Sequence, residues 1–266
     1  MLKKILISVV VVLVFGAFGA YFFFAQKLYS KNMPAQLCKE VKITLLDSLH
    51  NRFVTADEVM EIMDGFMGKS TGKKIGEIDL NLTEQLLNQR SAIKVSQASI
   101  TRDGVLRIDI TQRKPVLRIQ TQNGGFYVDE SQYVFPLVSS FTSYVPIVSG
   151  NIPLEMDADY RGTVRKSGTD WMAQIMELGK FMSLDPFWNA MIEQIYIDKN
   201  GDVILSPRIG NHKVIFGDLK DIEVKFNKLY TFYKNIAPEK GWERYSEVNL
   251  KYNNQIVCKL KKKGKK

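Results

Sequence analysis

The alternation of hydrophobic and polar residues first predicts a small unit of mixed strands and helices over residues 39–114. Thr55 and Glu58 form a capping box, in which each side chain satisfies the other residue's backbone N–H, so a helix begins there. Asn81 and Glu84 give the same signal for a second helix. Alternating apolar residues predict strands at 39–46, 93–101 and 105–113. The order strand, helix, helix, strand, strand predicts a three-stranded mixed sheet with both helices on one face.

The pattern runs through Pro115 without a polar linker and predicts a second, larger unit over residues 115–260. Short apolar runs between turn residues predict a mainly antiparallel sheet. Two amphipathic helices are predicted, over 170–184 and 219–236, and Asp218 is the expected N-cap of the second. The expected strands lie at 116–121, 126–128, 133–135, 145–148, 192–197, 203–207, 214–216, 245–252 and 255–260. The two units together predict an α+β fold class: a β-α-α-β-β domain, then a mainly antiparallel β-domain with two helices.

The N-terminal run at residues 5–24 contains no charged residue. Twenty helical residues rise about 30 Å, which is the thickness of the hydrocarbon core of a bilayer. The run therefore predicts a transmembrane helix, with a cleaved signal peptide as the alternative. An uncleaved anchor is favoured because the run is longer than the usual apolar region of a signal peptide. In this interpretation residues 1–4 are the cytoplasmic end, residues 25–38 are a linker, and the bulk of the chain is translocated.

The formal charge of +9 is concentrated at the two ends of the chain. Residues 1–30 hold three of the excess positive charges and residues 259–266 hold six, so the body between them is formally neutral. A nucleic-acid-binding domain normally carries a basic face on its folded part. Nucleic-acid binding is therefore not predicted, and the basic tail at 261–266 is interpreted as a solvated end or as a weak attraction to anionic lipid or polymer.

Residue types that carry out catalysis or bind metals are sparse in this sequence. The two histidines, His50 and His212, have no metal-ligand spacing with a cysteine or with each other. There is neither a nucleophile elbow nor a phosphate-binding loop. No enzyme activity, cofactor or metal site is therefore predicted. The cysteines, Cys38 and Cys258, would form a disulfide only in an oxidising compartment, and their spacing does not decide between a disulfide and two free thiols.

The chain ends in a predicted hairpin, with strands over 245–252 and 255–260 joined by Asn253 and Asn254. Asparagine tolerates a positive φ and therefore suits a tight turn. A final strand is often an edge strand, with one row of backbone N–H and C=O groups unpaired. Two interpretations follow: either the edge receives a strand from a partner, or Ile256 and Cys258 face the core and the tail covers the edge.

Six stretches of the sequence, in order, resemble those of the FtsQ/DivIB family of bitopic bacterial cell-division proteins, and are similar to members from Bacteroidota. They are NRFVTADEV at 51–59, IDITQRKPV at 108–116, FYVD at 126–129, VFPL at 134–137, VPIVSG at 145–150 and VNLKY at 248–252. The resemblance implies a POTRA domain at 39–114 and a β-domain at 115–260, both on the periplasmic side of one inner-membrane helix. It also implies a non-enzymatic scaffold at the division septum, which links early to late division proteins and controls septal peptidoglycan synthesis.

The resemblance also implies partners. Family members bind the division proteins FtsB and FtsL, and an FtsB segment adds a strand to the last strand of the β-domain, a binding mode known as β-augmentation. Carried over to this sequence, the partner-binding residues are Lys251, Tyr252, Asn254, Gln255, Ile256, Val257, Cys258, Lys259 and Leu260. Lys251 stands where the family has arginine, so an ion pair with a partner acid would lack bidentate geometry.

Other functions remain open at this point. Further division proteins binding through the POTRA domain are compatible with the resemblance. A membrane-anchored cell-wall enzyme is one alternative, but it would need a pair of acidic residues in a cleft, and the sequence gives no such pair. A POTRA-type transport or chaperone protein is the other alternative, but it would normally carry repeated POTRA units, and no internal repeat is found.

Overall fold

The computed structural model describes residues 14–25, 36–47 and 52–262. Residues 14–25 are helical and are called α1. Within these ranges, no helix combines the length and the apolar character needed to cross a membrane. Several predictions fall wholly or partly outside the described residues. They concern the cytoplasmic end at 1–4, residues 5–13 of the anchor, residues 26–35 of the linker, His50, Asn51 and residues 263–266 of the tail.

The first folded unit has the predicted order of elements. Its strands and helices are β1 (Glu40–Leu45), α2 (Ala56–Met67), α3 (Leu80–Asn88), β2 (Ile93–Ile100) and β3 (Val105–Gln112). The three strands lie in the order β1-β3-β2, with β1 parallel and β2 antiparallel to β3. The sheet is therefore mixed, as predicted. Residues 36–38, assigned to the linker from the sequence, pair with the loop at 72–75 through backbone hydrogen bonds.

The two helix caps of this unit differ in how well the sequence predicted them. The box at the start of α2 is confirmed: the Glu58 N–H donates to Thr55 Oγ1 (3.2 Å), and the Thr55 N–H donates to Glu58 Oε2 (2.9 Å). The cap predicted at Asn81 is wrong. Helix α3 begins earlier, and Asp79 accepts a hydrogen bond from the Leu82 N–H (3.0 Å). Starting the helix at this point brings Leu80 into the helix, where it packs against the core of the unit.

The second unit is built on a ten-stranded sheet. Its strands are β4 (Pro115–Thr121), β5 (Gly124–Asp129), β6 (Tyr133–Pro136), β7 (Ile147–Gly150), β8 (Gly162–Thr163), β9 (Ile192–Ile197), β10 (Val203–Pro207), β11 (Lys213–Gly217), β12 (Tyr245–Asn249) and β13 (Val257–Leu260). Their order is β13-β12-β11-β10-β9-β7-β4-β5-β6-β8. The pairs β4–β7, β7–β9 and β11–β12 are parallel, and the other neighbouring pairs are antiparallel. The sheet is thus mixed, with antiparallel pairs in the majority.

The helices of this unit cover one face of the sheet, and they are more fragmented than predicted. They are α4 (Thr169–Leu184), α5 (Pro186–Met191), α6 (Ile222–Thr231) and α7 (Ala237–Lys240), with a π turn at Phe232–Ile236 between α6 and α7. Asp218 does not cap α6, because the helix begins at Ile222 rather than at Leu219 and Asp221 occupies the N-cap position. Asp218 instead binds the ammonium group of Lys225. Pro186 follows α4 and lies at the first position of α5, where proline costs no backbone hydrogen bond.

The two units share part of one hydrophobic core. Side chains alternate across β5, so Phe126 and Val128 face the helices of the second unit while Tyr127 faces the first unit. The Phe53 ring, from the first unit, packs edge-on against Tyr127 (ring centroids 5.4 Å apart) and Phe135 (5.8 Å). Both rings come from the ten-stranded sheet, so the sheet is buried on both faces in this region.

A buried ion pair lies beside this shared core. The guanidinium of Arg113, just after β3, donates to Asp129 Oδ2 (2.7 Å) at the end of β5 and to the Ser91 carbonyl oxygen (3.0 Å). It also stacks over the Tyr133 ring, 3.5 Å from its centroid. One arginine therefore joins the loop before β2 to the β5–β6 hairpin.

Candidate partner-binding edge

Strand β13 is the outermost strand at one end of the ten-stranded sheet, as the sequence predicted. It pairs with β12 in antiparallel register, with Val257 opposite Asn249, Cys258 opposite Val248 and Lys259 opposite Glu247. An irregularity near Ser246 places two residues of β12 opposite one of β13. The other side of β13 is the edge on which a partner strand would pair.

The register fixes which backbone groups of β13 point away from the sheet. The Lys261 N–H donates to the Arg244 carbonyl oxygen (3.0 Å), so Lys261 directs its backbone groups toward β12. Because successive residues of a strand direct these groups to opposite sides, Val257 and Lys259 also bond to β12. Cys258 and Leu260 therefore direct their N–H groups outward. The C=O group of Cys258 also points outward, whereas the Leu260 carbonyl oxygen accepts a hydrogen bond from the Ser246 hydroxyl (3.5 Å). Among the described residues, no side chain accepts a hydrogen bond from either of these two N–H groups.

The side chains of β13 divide between the two faces of the strand. Ile256 and Cys258 pack against the core of the second unit and are half-buried, so the interpretation in which Ile256 faces the core is partly confirmed. Val257 and Leu260 remain 45% and 54% exposed, and Tyr252 in the preceding turn is 50% exposed. The edge therefore combines two outward backbone positions with three exposed apolar or aromatic side chains.

The connection before β13 is longer than predicted, because β12 ends at Asn249 and β13 begins only at Val257. Strand β12 ends at Asn249, where the Asn249 side chain accepts a hydrogen bond from the Lys251 N–H (2.9 Å) and turns the chain. Tyr252 and Gln255 consequently lie in the turn rather than in strands. Asn254 has a φ of 59°, as the asparagine pair led us to expect.

The lysines of the hairpin are already paired within the chain. Lys251 forms an ion pair with Asp202, and this hydrogen bond raises the pKa of Lys251 above its usual value. Lys259 Nζ lies 3.1 Å from a Glu247 carboxylate oxygen. A partner carboxylate would have to compete with Asp202 for Lys251. The positive charge of this edge is therefore less available to a partner than the sequence suggested.

Two family models match the chain and together cover both folded units. A model described as POTRA-like domain matches residues 36–111, and one described as FtsQ/DivIB, C-terminal related matches residues 114–259. The chain belongs to the FtsQ/DivIB family. The second match includes every strand of the ten-stranded sheet and ends at Lys259, within β13. No curated protein matches the chain. Membership of the FtsQ/DivIB family indicates a role as a scaffold protein in cell division.

Lys228 holds the terminal hairpin of this FtsQ/DivIB protein, a role that no sequence pattern indicated. From α6, its ammonium group donates to the carbonyl oxygens of Leu250 (2.7 Å) and Tyr252 (2.8 Å). Partial burial lowers the pKa of Lys228, and repulsion from Lys225 adds to this effect. Sequence periodicity predicts the helix face on which a residue lies. It does not predict which carbonyl oxygen in another part of the chain the side chain of that residue will contact.

Replacing Lys228 with methionine is expected to lower the free energy of unfolding by about 1 kcal/mol, because two carbonyl oxygens lose a charged donor. The measurement is urea unfolding followed by tryptophan fluorescence. Lys240→Met is the matched control, since Lys240 is an exposed lysine at the end of α7. Equal effects of the two substitutions would contradict a role for Lys228 in holding the hairpin.

His212 lies near the terminal hairpin, just before β11. It is buried, and its Nε2 is 3.0 Å from the Tyr233 hydroxyl. Burial lowers the pKa of His212; Glu243 opposes this shift and Lys261 adds to it. The imidazole is therefore a neutral packing group. Among the described residues, no group of three or more His, Cys, Asp or Glu side chains is arranged to hold a metal ion.

Proposed function

We propose that this FtsQ/DivIB protein is a non-enzymatic scaffold of the division machinery that binds FtsB- and FtsL-type proteins, with the FtsB-type partner adding a strand to β13. The observation that supports this proposal is the outward pair of backbone positions, Cys258 and Leu260, on the terminal strand of a family member. A partner strand would satisfy the N–H groups of both residues and the C=O group of Cys258. An edge strand left open in this way is a liability unless it is used or protected.

The contacts on either side of the edge suggest how a partner would be recognised. Main-chain hydrogen bonds would supply binding, and the exposed side chains of Tyr252, Val257 and Leu260 would supply specificity. Lys251 and Lys259 already have acidic neighbours in the chain. We therefore expect a partner segment with apolar residues at alternate positions, and an affinity that depends only weakly on salt concentration.

Substituting proline for Cys258 is expected to weaken binding of the FtsB-type partner by about tenfold or more. Proline removes the outward N–H and places its ring where the partner strand would lie, while the inward bonds of Val257 and Lys259 to β12 are retained. The measurement is calorimetric titration of the full chain in detergent with the periplasmic part of the same organism's FtsB-type protein.

Cys258→Ser is the matched control for this titration, because serine keeps the backbone N–H and a side chain of similar size. Its affinity should stay within about threefold of the parent's. Equal weakening by serine and proline would place the effect in the side chain rather than in strand pairing. Unchanged binding by the proline variant, with its fold intact, would place the interface elsewhere on the chain.

We further propose that residues 5–24 anchor the chain in the inner membrane, with residues 1–4 in the cytoplasm and the folded units in the periplasm at the septum. The uncharged run in the sequence supports this topology. Alkaline extraction of membranes should leave the full-length chain in the pellet. Recovery of a shortened chain in the supernatant would support a cleaved signal peptide instead.

A further inference from the structure

The POTRA-like sheet has an edge of its own at β2, and its register fixes which groups point outward. The Thr101 N–H donates to the Val105 carbonyl oxygen (3.0 Å), so Thr101 bonds to β3. By alternation, residues 95, 97 and 99 also bond to β3. Ser96 and Ala98, opposite Ile110 and Ile108, therefore direct their N–H groups away from the sheet.

Helix α3 occupies both of these outward N–H groups. Asn88 Oδ1 accepts a hydrogen bond from the Ser96 N–H (2.8 Å), and Glu84 Oε1 accepts one from the Ala98 N–H (2.7 Å). The Ser96 hydroxyl lies 3.0 Å from Asn88 Oδ1 and 3.2 Å from the Glu84 carbonyl oxygen. Ser96 is only 3% exposed, so the helix covers this part of the edge.

On β2, unlike on β13, the outward N–H groups of Ser96 and Ala98 already have hydrogen-bond acceptors. A partner strand needs free N–H groups, and on β2 it would first have to displace a carboxylate and an amide that already accept from them. A long strand edge that is left uncovered pairs readily with other strands. The same strand in a second copy of the chain is always available for such pairing. The eight residues of β2 would pair antiparallel with the same strand of a second copy.

We propose that Glu84 and Asn88 close the β2 edge, and that without them a second copy of this chain adds its β2 strand there. The closure protects β2 from strand addition at these two positions; β1 is the other edge strand of this sheet. This inference concerns the POTRA-like sheet and does not depend on binding at β13.

The test removes both acceptors in the full chain, as Glu84→Ala with Asn88→Ala, and measures self-association by analytical ultracentrifugation in detergent. The double variant should self-associate at least about tenfold more tightly than the parent, and its Ser96 and Ala98 amides should exchange hydrogen at least about tenfold faster. Adding Ala98→Pro should abolish the gained self-association, because proline removes one outward N–H. Glu84→Gln with Asn88→Asp keeps an acceptor at each position and should behave like the parent.

Faster exchange without self-association would overturn the proposal, since an opened edge would then attract no second copy. Unchanged exchange would also overturn it, because the two side chains would not be what covers the edge. Should the double variant lose its fold, Glu84→Ala alone opens the Ala98 position and is judged by the same two measurements. Self-association that survives Ala98→Pro would place the contact elsewhere and would equally overturn the proposal.

Discussion

Phe53→Ala is expected to lower the free energy of unfolding by about 3–5 kcal/mol. Phe53 is 1% exposed, and its ring packs edge-on against Tyr127, Phe135 and Phe141, whose ring centroids lie 5.0–5.8 Å away. Alanine would leave a cavity between the POTRA-like unit and the ten-stranded sheet. Because all three neighbouring rings belong to the second unit, we expect the loss of stability to reach that unit as well.

The tryptophans make this expectation measurable. Trp171, Trp188 and Trp242 are the three tryptophans of the chain, and all lie in the second unit. Urea unfolding followed by their fluorescence should therefore shift to lower urea, although the substitution is in the first unit. Phe66→Ala is the control, because Phe66 is 64% exposed on α2 and should cost less than about 0.5 kcal/mol. An unshifted fluorescence transition for Phe53→Ala, with loss of structure elsewhere, would mean that the two units unfold independently.

Asp129→Ala is expected to cost about 3–5 kcal/mol at neutral pH, because it leaves the buried guanidinium of Arg113 without its counter-ion. The side chains of Asp129 and Arg113 are only 4% and 12% exposed. The same carboxylate also accepts hydrogen bonds from the backbone N–H groups of Ser131 (2.8 Å) and Tyr133 (3.0 Å). Removing it therefore loosens the β5–β6 hairpin as well as the junction between the units. Urea unfolding at neutral pH measures this cost.

The pH dependence gives this prediction a second readout. Burial acts to raise the pKa of Asp129, but hydrogen bonds from Ser131, Arg113 and Tyr133 outweigh it and hold that pKa below its usual value. The carboxylate of Asp129 thus contributes its full stability above the unfolded-state pKa of about 3.9. This contribution is lost as the pH falls through the lower, folded-state value. The difference in stability between the parent and Asp129→Ala should accordingly shrink below about pH 4.

An exposed ion pair close by provides the control. Lys114 and Glu130 lie 3.4 Å apart, one residue along the chain from Arg113 and Asp129, and their side chains are 64% and 56% exposed. Glu130→Gln should change the free energy of unfolding by less than about 1 kcal/mol, since water screens the pair. A loss for Glu130→Gln as large as that for Asp129→Ala would indicate that burial of the ion pair is not the source of its stability.

The features that sequence reasoning predicted correctly depend on local geometry. The box of Thr55 and Glu58 spans four residues, and the turn at Asn254 needs only a residue that tolerates a positive φ. Strand alternation located the strands of both sheets except the two-residue β8, because burial of one face imposes a period of two. The edge position of β13 followed from its place at the end of the chain.

The features that it missed depend on partners far away in the sequence. Asp79 and Asn81 are equally good caps locally, and only the packing of Leu80 decides between them. The contact of Lys251 with Asp202 joins residues 49 positions apart, and that of Lys228 with Tyr252 joins residues 24 positions apart. Arg113 and Asp129 lie in two of the stretches that resemble the family, but the sequence pattern did not indicate that they form an ion pair.

The shared core around Phe53 has a mechanical consequence for a chain anchored as proposed. A flexible joint between the two units would let the β13 edge sample many heights above the membrane. Rings from both units pack around Phe53, and Arg113 forms its ion pair at the same junction, so the units share one continuous core. If the chain is anchored as proposed, this core limits how far the β13 edge can move relative to the POTRA-like unit.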